Sequence, residues 1–460
     1  MSRQIQSVNP ATEALLIRFD APEPGAIEQR LAAAAKAQRG WARTPLSQRL
    51  PLLRRVAGQL RDEKADLALL ISLEMGKPLT EALGEVEKCA WNFEHYADTA
   101  ALHLADEVVP SSAADSRIVR DPLGLVLAVM PWNYPLWQVM RAVAPVLAAG
   151  NGLVLKHASN VPQCALAIEG VCRRAGLPEG LVTTLLVGAA AVPQLINDDR
   201  IAAVTFTGST PAGRSIAAAA GQALKKQVLE LGGSDPFIVL ADADIEAAAS
   251  VAVKARFQNT GQSCIAAKRF IVEHAVADRF VEAFCEQVKR LVIGDPLSAG
   301  VTQGSMARAN LRDELHAQVQ ASVHEGARLL LGGRPWGVRG AFYEPTVLDH
   351  VTPQMTAARE ETFGPAAAIL RVRDPAEAIA VANGTPFGLG AALWTGDLER
   401  AARLAHDVEA GAVFVNGLVA SDPRLPFGGI KASGYGRELG RLGLHEFTNA
   451  KTVWTGPAHV

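Results

Sequence analysis

A thiol, a carboxylate and an amide stand in settings suited to attack on an electrophile. Cys264 lies in FQNTGQSC (257–264), a polar, glycine-containing stretch directly after a helical run, unlike the apolar surroundings of a structural cysteine. A free thiol has a pKa of about 8.5, readily lowered by dipoles or positive charge, so this setting suits a nucleophile. The other four cysteines, Cys89, Cys164, Cys172 and Cys285, fall in helical patterns and read as structural. Glu230 ends an apolar run in VLELGG (228–233), where a carboxylate beside two glycines can act as a general base. An exposed strand-terminal glutamate fits the same pattern. Asn133, between two prolines in PWNYP (131–135), offers a rigidly placed amide donor of the kind an oxyanion needs, although a turn asparagine has the same signature.

A fourth segment points to phosphate. GSTPAGRS (208–215) follows a strand-like run and opens a helical one, so backbone N–H groups there can receive an anion. It departs from a P-loop only in having Arg214 where lysine belongs, and FIVLAD (237–242) has the pattern of a Walker B strand, which keeps an NTPase as an alternative. Gly208 and Gly213 also fit simple turn and helix-packing roles. The chain contains no GxGxxG.

The elements that must position these groups alternate between two periods. The first ~110 residues read as helices, with Ser47 as an N-cap before Leu50, Leu53, Ala57 and Leu60, and with Gly76 and Pro78 ending a helix over 66–75. From Gly124 short apolar runs take over: 125–130, 153–156, 183–188, 203–208 and 227–233, separated by helical stretches at 161–175 and 211–223. A second series at 237–242, 268–273, 366–372, 390–396 and 411–417, with helices over 245–258 and 276–291, indicates two α/β units divided near Gly232 and Gly233. SRIVRDP (116–122) and KTVWTG (451–456) fit neither core and read as edge strands for a neighbouring subunit or as surface hairpins.

Composition narrows the classes. Of 460 residues 49% are hydrophobic and 20% charged, and the net charge of −2 leaves no excess of cations for a nucleic-acid backbone. Five cysteines without a CxxC pair argue against a disulfide framework, and the ten histidines show no ligand spacing, so no metal is expected. No apolar run approaches a membrane span and MSRQIQSVNPATEALL lacks the pattern of an export signal, which leads to the expectation of a cytoplasmic protein with no membrane association.

In this order and spacing NPAT (9–12), EMGKP (74–78), PWNYP, FTGST (206–210), ELGG (230–233), GQSC (261–264), EETFGP (360–365) and PFGGIKASGYGRE (426–438) resemble the aldehyde dehydrogenase superfamily over essentially the whole chain. The resemblance implies an α/β fold with a Rossmann-like cofactor domain (1–114 and 123–232), an α/β catalytic domain (233–438) and a small strand extension for oligomerisation (115–122 and 439–460), assembled as a homodimer or homotetramer. It implies Cys264 as the nucleophile, Glu230 as activator of the deacylating water and Asn133 as donor to the oxyanion. NADP or NAD would be held by Trp132, Lys156, Ser159, Gly208 and Ser209, with Leu231, Glu361 and Phe363 completing the site.

Ser159 stands where NAD-preferring relatives often carry a glutamate that repels a 2′-phosphate, so NADP is admitted. Arg141, eight residues after Asn133, resembles the arginine of succinate-semialdehyde dehydrogenases, placed to bind a distal carboxylate. Gln258 is also expected in the substrate site, but some relatives carry a second arginine there. The expected activity is oxidation of a small aldehyde, most like succinic semialdehyde, to its acid through a thiohemiacetal and a thioester. A dehydrogenase of aldehydes in general or of another ω-carboxylic aldehyde and a non-catalytic relative are the alternatives, the last disfavoured by the joint presence of Cys264, Glu230 and Asn133.

Overall fold

In the computed structural model residues 4–456 are described; residues 1–3 and 457–460, the ends of two expected segments, lie outside them. The apolar runs become two separate sheets. The first has six strands in the order Gly434–Tyr435, Lys226–Glu230, Ile201–Thr207, Leu125–Met130, Gly152–His157, Val182–Thr184, all parallel except the first. The second has seven, Arg328–Leu331, Thr346–Asp349, Ala366–Val372, Ala267–Glu273, Asp235–Val239, Gly390–Trp394, Ala412–Val415, again parallel apart from the first. FIVLAD therefore belongs to a different sheet from the strand that precedes GSTPAGRS, and the two cannot form a P-loop site.

The runs are apolar at every position because both faces of each sheet are covered by helices. In Leu125–Met130, Val126, Ala128 and Met130 pack into one core cluster and Leu125, Leu127 and Val129 into another. Ile238 and Ile271 face one side of the second sheet while Phe237, Val239, Phe270 and Val272 face the other. Each such side chain contributes about 1.5–3 kcal/mol by leaving water. The chain passes from one sheet to the other through residues 231–234, where Gly232 lies against the Glu361 carboxylate and Gly233 against the Cys264 carbonyl, too close for a side chain on either.

Several expectations need correction. The first residues are not all helical, since Gln4–Val8 and Leu15–Asp20 form an antiparallel hairpin. Its outer strand is largely exposed and has no apolar alternation to announce it. Ser47 is not the N-cap; the helix Leu46–Asp62 begins one residue earlier, and the Pro45 carbonyl accepts the first hydrogen bonds, from Gln48 and Arg49. The run at 183–188 is strand only over Val182–Thr184. The helix Ala309–His324 and the strands Arg328–Leu331 and Thr346–Asp349 were not anticipated. The two orphan segments pair with each other: Thr448–Thr455 lies antiparallel to Asp115–Pro122, and Glu107–Val108 completes a three-stranded sheet.

One buried ion pair sets the angle at which the helix Trp137–Ala148 leaves the first sheet. Lys77 pairs with Glu85, both fully enclosed, and Glu85 Oε1 accepts the backbone N–H groups of Leu136 and Trp137, each at 2.9 Å. The carboxylate thus caps a helix that is buried at all twelve positions. Glu85→Ala leaves the ammonium and both amides without partners, so it is expected to cost about 3–5 kcal/mol, measured as a lower midpoint in urea denaturation. The double change Lys77→Met with Glu85→Leu removes the stranded charge and should recover part of that loss.

Candidate active site

The functional side chains gather where the parallel strands of the first sheet end and the second sheet begins. Val129 is in register with Lys156 and with Phe206, so the loops starting at Pro131, Ala158 and Gly208 leave from one edge, joined there by Leu231 to Gly233. Ligands of open parallel sheets bind at this C-terminal edge. A cavity of about 330 Å³ lies there, walled by Trp132, Asn133, Gly208, Ser209, Leu231, Glu361 and Phe363. Trp132 and Phe363 meet edge to face at 5.7 Å.

A second cavity of about 400 Å³ is walled by Lys88, Tyr134, Trp137, Arg141, Lys254, Gln258 and Phe427 among others. Cys264 and Gln138 belong to both walls. The thiol therefore sits where a molecule entering from one side meets one bound on the other.

The segment carrying Cys264 is held in an unusual shape. Asn259 and Thr260 have φ of 55° and 54°, a conformation that L-residues and β-branched ones above all avoid. The pins are specific. Glu81 Oε2 accepts the Asn259 backbone N–H at 2.7 Å, and the Asn259 side chain donates to the carbonyls of Asn133 at 2.8 Å and Gln262 at 3.0 Å. Lys268 Nζ donates to the Cys264 carbonyl at 2.8 Å and the Ser263 carbonyl at 3.0 Å. Asn133 Nδ2 donates to the Gln262 carbonyl at 3.1 Å, so the proposed oxyanion donor is locked to the loop that bears the nucleophile. With one amide hydrogen used in this way, the second is free for an oxyanion.

Burial dominates the electrostatics. It pushes the Cys264 thiol up to about 12, against the lowering influence of Lys268 and Arg141. Burial also raises the Glu230 carboxyl well above the usual range, with Glu438 adding to the rise and Arg141 and Arg437 opposing it. Both Glu230 oxygens lack a hydrogen-bond partner, and the carboxyl packs against Gly428, outside the walls of the two cavities. Glu438 was not singled out from sequence, although it lies within the PFGGIKASGYGRE motif. Burial raises it too, but its ion pair with Arg141 holds that rise back. Glu230 makes no ion pair among the described residues and is raised the more strongly of the two.

Arg141 reaches the second cavity from the helix Trp137–Ala148, yet its guanidinium is not free of partners. It pairs with Glu438, both residues almost fully buried, and lies 4.7 Å above the Phe427 ring. Nε meets the Glu438 carboxylate, while Nη2 is buried with neither a hydrogen bond nor an ion pair among the described residues. Gln258, exposed, stands in the same wall.

On the cofactor side the residues present fit a dinucleotide. The helix Thr210–Gln222 opens without a side-chain cap or an acidic residue in its first turn, leaving N–H groups next to Gly208 and Ser209 in the cavity wall. Thr207 Oγ1 and Gln138 Oε1 are buried polar atoms without partners among the described residues. Gly213 packs so closely on Leu231 that a side chain there would collide, which makes it a helix-packing glycine. Lys156 and Ser159 sit on the same edge but outside the cavity wall. Lys156 makes no hydrogen bond or ion pair among the described residues, and burial lowers its pKa. Glu361 accepts the Gly233 N–H at 3.0 Å and lies 3.6 Å from Lys268.

Comparison with known proteins agrees with this arrangement. A family model described as the aldehyde dehydrogenase family matches residues 1–453. A probable succinate-semialdehyde dehydrogenase [NADP(+)] of Synechocystis sp. is 49% identical over 98% of this chain and 99% of its own. The succinate semialdehyde dehydrogenase [NAD(P)+] Sad of Escherichia coli is 49% identical over 97% of both chains. The crystal structure of succinic semialdehyde dehydrogenase from Streptococcus pyogenes in complex with NADP+ superposes with a TM-score of 0.96 at 36% identity, covering 98% of this chain and 100% of that one.

With its pKa raised to about 12, the thiol is almost wholly protonated in the ligand-free protein, and its thiolate fraction grows tenfold per pH unit throughout the accessible range. Alkylation of Cys264 by iodoacetamide, followed by peptide mass spectrometry, should therefore accelerate about 100-fold between pH 7 and pH 9 without a plateau. A plateau reached below pH 9 would show that Lys268 and Arg141 outweigh burial.

Proposed function

Because the chain belongs to the aldehyde dehydrogenase family, an oxidoreductase family, we propose that it oxidises succinic semialdehyde to succinate with NADP, and with NAD less readily. The observation that carries this reading is the position of Cys264 in the shared wall of two cavities, one fitted to a dinucleotide and the other lined by the cations Lys88, Arg141 and Lys254. The Synechocystis and E. coli relatives, named as succinate-semialdehyde dehydrogenases using NADP(+) and NAD(P)+, support the same substrate and cofactors.

In this reading the Cys264 thiol gives its proton to solvent water and its sulfur adds to the aldehyde carbon, forming a C–S bond as the C=O π bond opens onto oxygen. The oxygen that becomes anionic is met by the free Asn133 amide hydrogen, a donor worth about 3–4 kcal/mol in such a site. A dinucleotide held in the first cavity would supply the hydride acceptor that lets the acyl group remain on Cys264 as a thioester. Glu230 gives its proton to solvent as it leaves the burial that raises it, turns from its place beside Glu438 towards the thioester, takes a proton from water and so directs hydroxide to the acyl carbon. The C–S bond breaks, the acid leaves and the thiol is restored. Lys156, Ser159, Gly208 and Ser209 would hold the adenosine and phosphate side of the dinucleotide. Trp132, Leu231, Glu361 and Phe363 would hold the rest.

The three-stranded sheet is read as an oligomerisation element of a homodimer or homotetramer. Its strand Thr448–Thr455 leaves one edge unpaired and exposes Val453 and Trp454, while Val108 is exposed on the opposite strand. The domain divisions at 115, 123, 233 and 439 are part of the same reading. So is a cytoplasmic location, which suits the five unpaired cysteines; no described helix is long and apolar enough to cross a membrane.

Steady-state kinetics with NADP should give a kcat/KM for succinic semialdehyde roughly 100-fold or more above that for butanal, an uncharged aldehyde of similar length. Equal values would refute the substrate assignment while leaving the family chemistry in place. Ser159→Glu should shift the ratio of kcat/KM for NADP over NAD downward by about 10-fold or more, since a carboxylate near the 2′-phosphate repels it. Equal losses with both cofactors would show that Ser159 does not face the ribose.

A further inference from the structure

Lys88 belongs to no motif and, on the helix Leu79–His103, has the sequence signature of a solvated lysine. The fold makes it something else. Its half-buried ammonium faces the second cavity, the one whose wall also holds Arg141 and Cys264. It is fixed by two uncharged partners, donating to Ser421 Oγ at 2.7 Å and standing 4.4 Å from the centre of the Trp137 ring. Among the described residues no carboxylate lies within ion-pair distance of it.

The acids that face it are committed elsewhere. Glu85 holds Lys77 and two backbone amides, and Asp422 holds Arg424 at 2.6 Å. Glu81 receives the Asn259 amide and is raised by burial to about 7, where its charge is half lost at neutral pH. Cys89, on the same helix, is pushed well up by burial and stays neutral. The other cations of the wall differ in kind: Arg141 already carries Glu438, and Lys254 is exposed. Burial, reinforced by Arg141, lowers Lys88 to about 8 against the smaller raising influences of Cys89, Asp422 and Glu85. Gln258 supplies no charge from the other element of the wall. Side-chain entropy and desolvation have thus been spent on an ammonium held still in a cavity, with no carboxylate among the described residues paired to it.

We propose that Lys88 is a specificity-determining residue that binds the distal carboxylate of an ω-carboxylic aldehyde, sharing it with the unpartnered Nη2 of Arg141, while Ser421 and Trp137 fix the ammonium in place. This inference rests on the reading of the substrate as an ω-carboxylic aldehyde. The carboxylate completes the ion pair that the protein leaves open, and an aldehyde without it gains nothing from Lys88.

The test compares wild type, Lys88→Met and Lys88→Arg with succinic semialdehyde and butanal at saturating NADP. In Lys88→Met the ratio of kcat/KM for the two aldehydes should fall roughly 10- to 100-fold, mainly through KM for succinic semialdehyde, and Lys88→Arg should restore it to within a few-fold. The ammonium deprotonates as pH rises through about 8, so the wild-type ratio should fall between about pH 7 and about pH 9.5, and the Lys88→Arg ratio should not. A wild-type preference that survives in Lys88→Met overturns the role of Lys88 and leaves the substrate reading standing. Equal losses on both aldehydes in Lys88→Met, or a failure of Lys88→Arg to restore the ratio, makes Lys88 structural and overturns it as well. Absence of any preference in the wild type overturns the substrate reading, and the inference falls with it.

Discussion

Two consecutive non-glycine residues with positive φ, Asn259 and Thr260, turn the chain so that Cys264 lies between the two cavities, and much of the surrounding structure serves to hold that turn. Such a conformation costs of order 1–3 kcal/mol per residue and persists only where the surroundings over-determine it. Here they do. Glu81 from the N-terminal helices, Asn133 from the loop after a strand of the first sheet and Lys268 from a strand of the second all bind the segment. Three parts of the chain, around residues 81, 133 and 268, thereby agree on the position of one sulfur.

Desolvation governs the charge state of the groups that the proposed reaction uses. The thiol and the Glu230 carboxyl are both raised by burial, so the surroundings of each favour its uncharged form in the ligand-free protein. Arg141 links the two: it lowers the thiol and Glu230 while pairing with Glu438, so one guanidinium tempers three groups at once. Lys88 shows the opposite sign of the same effect, a cation depressed by burial and by its neighbour Arg141.

The alternating apolar runs and the helices between them were legible from residue types, because a strand covered on both faces must be apolar at every position and few other structures demand that. The N-terminal hairpin was not, since its outer strand is half in water and carries no period. Cys264, Glu230 and Asn133 announced themselves by their setting among glycines and polar residues, and the ordered motifs tied them to one family. In Gly208 and Gly213 the sequence left turn, phosphate cradle and helix packing undecided; the collision with Leu231 settles Gly213 as packing.

What the sequence by itself determined is therefore the family and the two-sheet α/β plan, and it named the candidate reactive side chains, all of which depend on local pattern or ordered motifs. The tertiary structure alone decided that Arg141 is already paired with Glu438, that Glu230 rests outside both cavities, and that Lys88 stands unpaired between Trp137 and Ser421. The reason is physical: whether a charge is compensated depends on which groups lie within a few ångströms, and residues 88, 137, 141, 421 and 438 become neighbours only when the helices close over the end of the sheet.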